Sequence, residues 1–368
     1  MSKVLILSCG TGGGHNSAAL AIQENLKEKE VQADFIEYLN IINPKIKNNI
    51  NKLYIKSTKG NGKVFKVVYH LGELYQKTKW KSPVYGFNSL SKEKLYQYIV
   101  KNKYDYIVTT HLFAAEALTS IKKKYPIKFM AIATDYVSIP FWEETDPDYF
   151  VIPSKELEQD FIDRGINKNK LLPLGIPVSK DYIQQYEKEN CKKELGLEKN
   201  KKYVLILTGS MGFGNVTQMV KELIKQIEDI SFIISCGNNV KLQNDLLKIY
   251  KDNNRVIAIP FTDKISLYMK SSEIILSKPG GLTTTEIAVL NKPLIHTMPI
   301  PGCENYNADF FSKRKMSIKC DTIQEVVKNT KKLLENNRLQ NEMKENQIKY
   351  MNKNVCNDIS EFIMKECK

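Results

Sequence analysis

The sequence predicts an α/β protein built from two doubly wound, Rossmann-like domains. Three observations carry this. Short apolar runs of strand length alternate with helix-patterned stretches along the chain. The runs fall into two sets of about six. Several of them end in a glycine-rich or small-residue loop that opens a helix, and in sheets of this kind ligands bind beyond the carboxyl ends of the strands.

In the first half the predicted strands are 3–8, 33–37, 104–109, 128–134, 149–152 and 170–174. In the second half they are 203–208, 232–235, 256–260, 273–277, 293–298 and 316–320. Each is rich in Val, Ile, Leu or aromatic residues, as expected of a strand covered on both faces. The stretch from about 40 to 103 has no clear strand and reads as a helical insertion in the first domain. Glycine and proline cluster in Pro173–Tyr182 (PLGIPVSKDY), which places the join there and gives domains of 1–178 and 179–368. The final helical stretch, from about Gln324, can pack back on the first domain.

At 368 residues, two domains of this size each bury a proper core. The longest apolar runs are about strand length, short of a membrane-spanning helix. A glycine loop follows the first strand where a signal peptide would carry its cleavage site, so none is expected. The seven cysteines are scattered, without a C-x-x-C pair, which fits a reduced cytoplasmic compartment and no structural zinc. Net charge is +14, and 51 of the 55 basic residues are lysine. Lys45–Lys103 concentrates 14 lysines against two acids and interleaves nine aromatic residues. Lysines with aromatics suit an anionic membrane surface, where the charge meets lipid and the rings sit among headgroups. They also suit single-stranded nucleic acid, by stacking, or a solvated helical region whose aromatics are core.

The most loaded loop follows the strand 273–277: Pro279, Gly280 and Gly281, then Leu282, then Thr283, Thr284 and Thr285, with Glu286 in the helix behind. A glycine turn opening a helix directs free backbone N–H groups and the positive dipole end at one point, which is a phosphate site. The threonines add hydroxyl donors, and Glu286 can accept both hydrogen bonds of a vicinal diol such as a ribose. The plainer reading is an ordinary turn with a threonine cap. The loop after the first strand, Cys9–Asn16 (CGTGGGHN), resembles a dinucleotide fingerprint but has His15 where the third glycine belongs, which argues against NAD. His15 sits instead at a helix N-terminus, where the dipole favours neutral imidazole; it is a general base or a phosphate ligand. Gly209, Ser210 and Gly212 form a small-residue turn able to approach a pyrophosphate or sugar. Phe261 and Thr262 follow another strand, Phe261 flanking a base or filling core. Asp135, followed by Tyr136 and Trp142, ends a strand of the first domain and can orient His15, bind an acceptor hydroxyl or cap a helix. His111 also ends a strand; His70 and His296 read as structural.

Taken in order, the glycine–His loop, the TDY…W segment, GIPV at the join, TGS-x-G, PGG…E and PxPG-x-E…N resemble the lipid glycosyltransferases of the monogalactosyldiacylglycerol synthase and processive diacylglycerol glucosyltransferase type, in glycosyltransferase family 28. The resemblance covers nearly the whole chain. It implies a GT-B fold, two Rossmann-like domains facing across a cleft, with a UDP-sugar on the second and a membrane lipid met by the first. It implies Glu286 at the ribose, Gly280–Thr284 at the phosphates, Phe261 and Thr262 at the uracil, and Glu304 and Asn307 by the hexose. His15 becomes the base or a phosphate partner, with Asp135 beside it. Gly13, Gly14, Tyr136, Trp142, Trp80, Lys77, Lys79 and Lys81 become the acceptor and membrane side. Cys303 stands where the family often has Gln, and Ile139 where it often has His, so sugar and acceptor stay open.

The expected chemistry is inverting transfer of a hexose to diacylglycerol or a related lipid, at the inner face of the cell membrane. Helix N-termini would stabilise the departing UDP, so no metal or cofactor is expected, and no nucleic acid partner. The rivals are a polyprenyl-linked acceptor, a UDP-sugar epimerase, a non-catalytic UDP-sugar sensor and a nucleic-acid binder.

Overall fold

In the computed structural model, residues 2–10, 13–42, 72, 75, 80–209 and 215–367 are described. They form two units: residues 1–179 with 301–303 and 352–368, and residues 180–300 with 304–351. Each unit is built on a six-stranded sheet in which every paired strand is parallel.

In the first unit the strands are β1 (Lys3–Ser8), β2 (Gln32–Glu37), β3 (Tyr106–Thr109), β4 (Phe129–Ile132), β5 (Tyr149–Val151) and β6 (Leu171–Leu172), in the order β2-β1-β3-β4-β5-β6. In the second they are β7 (Lys202–Leu207), β8 (Ile230–Ser235), β9 (Val256–Ile259), β10 (Ile274–Ser277), β11 (Leu294–Thr297) and β12 (Ile318–Cys320), in the order β12-β11-β10-β7-β8-β9. The twelve predicted strands are these twelve, most of them shorter by one to three residues, while β2, β7 and β8 begin one or two residues earlier than predicted.

Leu5, Leu7, Ile107, Phe129 and Phe150 face one side of the first sheet, and Val4, Ile6, Val108, Met130 and Val151 the other; all are buried. Alternate residues thus feed two cores, which is why these strands read as unbroken apolar runs. The last helix, Val355–Glu366, covers the second of these cores with Val355, Ile359 and Ile363. Tyr149 donates to Glu366 at 3.1 Å, and Gly175, at φ +118, leaves room that a side chain would take from Val355. Residues 352–368 therefore belong to the first unit.

Topology then fixes where function sits. Sheet order reverses between β1 and β3 in the first unit and between β7 and β10 in the second. At such switch points the loops on either side diverge and leave a crevice at the strand ends.

Candidate active site

At the first switch point the chain leaves β1 and enters the helix Gly14–Glu28, capped by Gly13. His15 is in its first turn. Its Nδ1 lies 2.9 Å from the Thr110 carbonyl, just past β3, and 2.9 Å from Thr134 Oγ1, just past β4. A carbonyl only accepts, so Nδ1 carries the hydrogen, shared with Thr134, and Nε2 keeps the lone pair. Thr110 Oγ1 donates in turn to the His15 carbonyl at 3.0 Å. Burial lowers the His15 pKa below its ordinary value, against the opposing charge of Asp135 and the Thr110 bond. The result is a neutral imidazole with a fixed tautomer.

His111 completes the group. Its ring meets His15 edge-on at 4.7 Å, and its Nδ1 accepts from the Phe113 N–H at 3.2 Å, capping the helix Leu112–Lys122. Burial and the neighbouring His15 hold it well below the usual histidine range. Sequence reading placed His111 at a strand end but not in the site; its partner there is far along the chain.

Two residues expected on the acceptor side are core instead. Trp142 is buried, edge-on to Phe150 of β5 at 4.9 Å, and Tyr136 is buried too. Lys81 Nζ is committed to the Glu144 carbonyl at 2.7 Å. Lys77 and Lys79 lie outside the described residues, as do His70 and most of the predicted helical insertion.

One helix in the described end of that insertion is inside out. In and beside the helix Pro83–Ser89, the inward residues are Ser82, Tyr85 and Asn88. The outward ones, at helical spacing, are Trp80, Pro83, Phe87 and Leu90; Trp80 is 78% and Leu90 83% exposed. Two acids hold the polar face down. Glu144 accepts from Ser82 N at 2.6 Å and Ser82 Oγ at 2.8 Å, and Glu116 accepts from Asn88 Nδ2 at 2.6 Å. Burial pushes the Glu116 carboxyl up to about 8. An ordinary surface helix buries its apolar stripe; this one presents it.

At the second switch point β10 ends in Ser277 and the helix Gly281–Val289 begins after Gly280. The loop is pinned from three directions. Ser277 Oγ and Gly280 N both donate to the Lys278 carbonyl at 2.9 Å, and Asn307 Nδ2 donates to the Pro279 carbonyl at 2.9 Å. The first N–H groups of a helix have no partner inside it, and this helix begins at the switch point. Gly280 has an ordinary backbone (φ −69, ψ 137), and a Cβ placed on it would meet no protein atom within 4 Å. Neither conformation nor packing requires glycine there.

The threonines behave otherwise than expected. Thr284 Oγ1 bonds buried His296 Nε2 at 3.3 Å and its N–H goes to Gly280, while Thr285 Oγ1 donates to Gly281 at 2.7 Å. Both hydroxyls hold the helix rather than face the loop; Leu282 is buried, and Thr283 is half-buried. Glu286 is buried in the same helix, its carboxyl pushed up to about 8 by burial and held back by a hydrogen bond from Tyr182. Burial lowers the Lys278 pKa, with Glu304 opposing. Glu304 accepts from Ile300 N at 2.8 Å. Phe261 is 67% exposed, so it is not core; its N–H donates to Gly237, and Thr262 Oγ1 accepts from Lys264 N. Gly209, two residues beyond β7, has φ +76, a conformation that suits glycine; Ser210 and Gly212 lie outside the described residues. Lys278 and Tyr182 escaped the sequence reading: one looks like a surface lysine, the other like part of a join.

Comparison with known proteins bears on the fold and the class of enzyme. Residues 15–178 match the family described as monogalactosyldiacylglycerol (MGDG) synthase, and residues 203–359 the glycosyltransferase family 28 C-terminal domain. With both halves matched in this way, the chain is a glycosyltransferase. A processive diacylglycerol beta-glucosyltransferase of Bacillus cytotoxicus is 25% identical over 93% of this chain and 88% of its own length. Among solved structures, Acinetobacter baumannii MurG matches with a TM-score of 0.66 at 16% identity, over 99% of this chain and 100% of its own. The S. aureus MnaA–UDP structure matches at 0.67 and 15%, over 99% and 96%. These two likenesses establish the GT-B fold.

Proposed function

We propose that this glycosyltransferase moves a hexose from a UDP-sugar to diacylglycerol, with inversion at the anomeric carbon and without a metal ion, at the inner face of the cell membrane. Its coarser class rests on the family: it is a UDP-sugar glycosyltransferase acting on a lipid. The observation that carries the donor assignment is the β7/β10 switch point, where a helix N-terminus opens beside Gly280 with Glu286 buried behind it. The diphosphate takes the N–H groups of the Gly281 helix and the charge of Lys278. The ribose diol takes Glu286, and Phe261 lies at the uracil.

His15 supports the inverting step. Its Nε2 takes the proton of the lipid hydroxyl as that oxygen attacks the anomeric carbon from the face opposite UDP. The bond from that carbon to the β-phosphate oxygen breaks, and UDP leaves with the electron pair. A positioned base contributes typically 10²–10⁴-fold. Removing one preorganised donor to a developing oxyanion costs about 10²–10³, which is the scale of help a helix N-terminus and a lysine provide without a metal.

The inside-out helix supports the lipid surface. An outward stripe of Trp80, Phe87 and Leu90, in a segment whose lysines far outnumber its acids, suits the boundary between headgroups and acyl chains. Among the described residues no helix is long and apolar enough to cross a membrane.

The test is transfer from radiolabelled UDP-glucose, UDP-galactose and UDP-N-acetylglucosamine into chloroform-extractable product, using vesicles of diacylglycerol and anionic lipid with EDTA present. Labelled glycolipid from one donor names the sugar and supports the reading. UDP-sugar binding without labelled lipid refutes it in favour of an epimerase or a sensor.

A further inference from the structure

Tyr182 is the third residue of the second unit, in the short 3-10 turn Lys180–Tyr182, which packs on the Gly281 helix. Its ring is buried, and its hydroxyl is near enough to the buried carboxyl of Glu286 to favour that group's charged form. Glu286 has two oxygens and a rotatable plane. A ribose diol needs that plane fixed and at least one oxygen accepting. Without a donor, a buried carboxyl protonates and can turn an O–H toward the ligand, which leaves one oxygen fewer to accept from the two hydroxyls. The phenol opposes this in two ways. It occupies one side of the carboxyl, fixing its plane, and it favours the charged form against the burial that pushes Glu286 up to about 8. Asp181, beside Tyr182 in the chain, is the other charged group acting on Tyr182.

We propose that Tyr182 is a positioning residue for the donor: its hydroxyl orients the Glu286 carboxylate to receive the ribose diol. The proposal rests on the ribose reading of Glu286. It goes beyond that reading by giving the residue at the start of the second unit a role in donor recognition. Packing alone would need only the ring, and phenylalanine supplies the ring.

The experiment is calorimetric binding of UDP and 2′-deoxy-UDP to the full chain and to its Tyr182→Phe and Glu286→Gln variants, from pH 7 to 9.5. In the wild type, UDP affinity should rise with pH until Glu286 is ionised near 8 and then level off, because the ionised carboxylate accepts from both hydroxyls of the diol. Tyr182→Phe should weaken UDP binding about tenfold, bring UDP and 2′-deoxy-UDP closer in affinity, and move the plateau to higher pH, since a bond that favours the carboxylate is gone. If Glu286→Gln weakens binding and narrows the discrimination while Tyr182→Phe changes neither affinity nor pH profile, Tyr182 is only structural and the proposal fails alone. If Glu286→Gln leaves the preference for UDP over 2′-deoxy-UDP intact, the ribose reading fails and takes the proposal with it. Should Tyr182→Phe not fold, the wild type still decides: UDP affinity flat from pH 7 to 9.5 overturns the mechanism.

Discussion

Gly280→Ala separates ligand chemistry from folding at one position. Because the backbone at Gly280 suits alanine and the added methyl meets no protein atom within 4 Å, the folded state needs no rearrangement. Two small terms act on stability. Replacing glycine stiffens the unfolded chain, worth about 0.4–1 kcal/mol in favour of folding. Alanine is the poorer helix cap, which costs a similar amount. They cancel to within about 1 kcal/mol, a Tm change of no more than about 4 °C for a domain of this size. The ligand is affected otherwise. A phosphate seated on the Gly281 helix passes directly in front of Gly280, and a methyl there pushes it off the N–H groups. Losing one charge-assisted hydrogen bond costs about 1.5–3 kcal/mol, which is about 10- to 150-fold in affinity. Thermal unfolding and UDP titration on the same sample read both quantities. Wild-type UDP affinity in a folded Gly280→Ala protein would refute a phosphate at this helix.

Other outcomes follow from the same geometry. His15→Ala should lower kcat by about 10²–10⁴ while leaving UDP affinity near wild type; a loss confined to UDP binding would make His15 a phosphate ligand instead. Glu286 raises a stability question with a definite sign. Its carboxyl titrates near 4.5 unfolded and about 8 folded, so its contribution is full below about pH 4.5 and is lost as pH rises through 8. Thermal unfolding from pH 4.5 to 9 should show wild type losing stability relative to Glu286→Gln across that window, and parallel profiles would contradict the raised value. Trp80→Ser with Leu90→Ser should reduce sedimentation with anionic vesicles at least tenfold without moving Tm, because both side chains are exposed; unchanged sedimentation would remove this face from the membrane.

The strands were legible because parallel strands covered on both faces leave an apolar run that no helix period explains, and all twelve appear in order. The glycine loops were legible for a related reason: small residues at a strand end mark places where backbone must stay uncovered. Contacts made across the chain were not. Trp142 follows an irregular loop and reads as an acceptor-side aromatic until Phe150 of β5 is seen beside it. Thr284 resembles a loop donor until His296 of β11 is found to take its hydroxyl. The polar face of the Pro83–Ser89 helix carries no charge to announce it, and Glu116 and Glu144, which hold it, come from later segments.

The two switch points share one backbone plan, a parallel strand leading through glycines into a helix, yet they are loaded oppositely. In the first unit His15 fills the mouth of the helix, where the dipole and burial keep it neutral. A Cβ on Gly10 would collide with Glu37, whose carboxylate already accepts from Asn16 at 3.1 Å. A carboxylate closing over the glycine turn repels a pyrophosphate, so this loop is unsuited to one despite its glycines. In the second unit Gly280 faces open space, Lys278 adds positive charge, and Glu286 stands behind the helix mouth rather than over it. The backbone field is the same in both. What the first unit does with it is hold a base neutral, and what the second can do is hold an anion, because only there does the sequence leave the helix mouth clear.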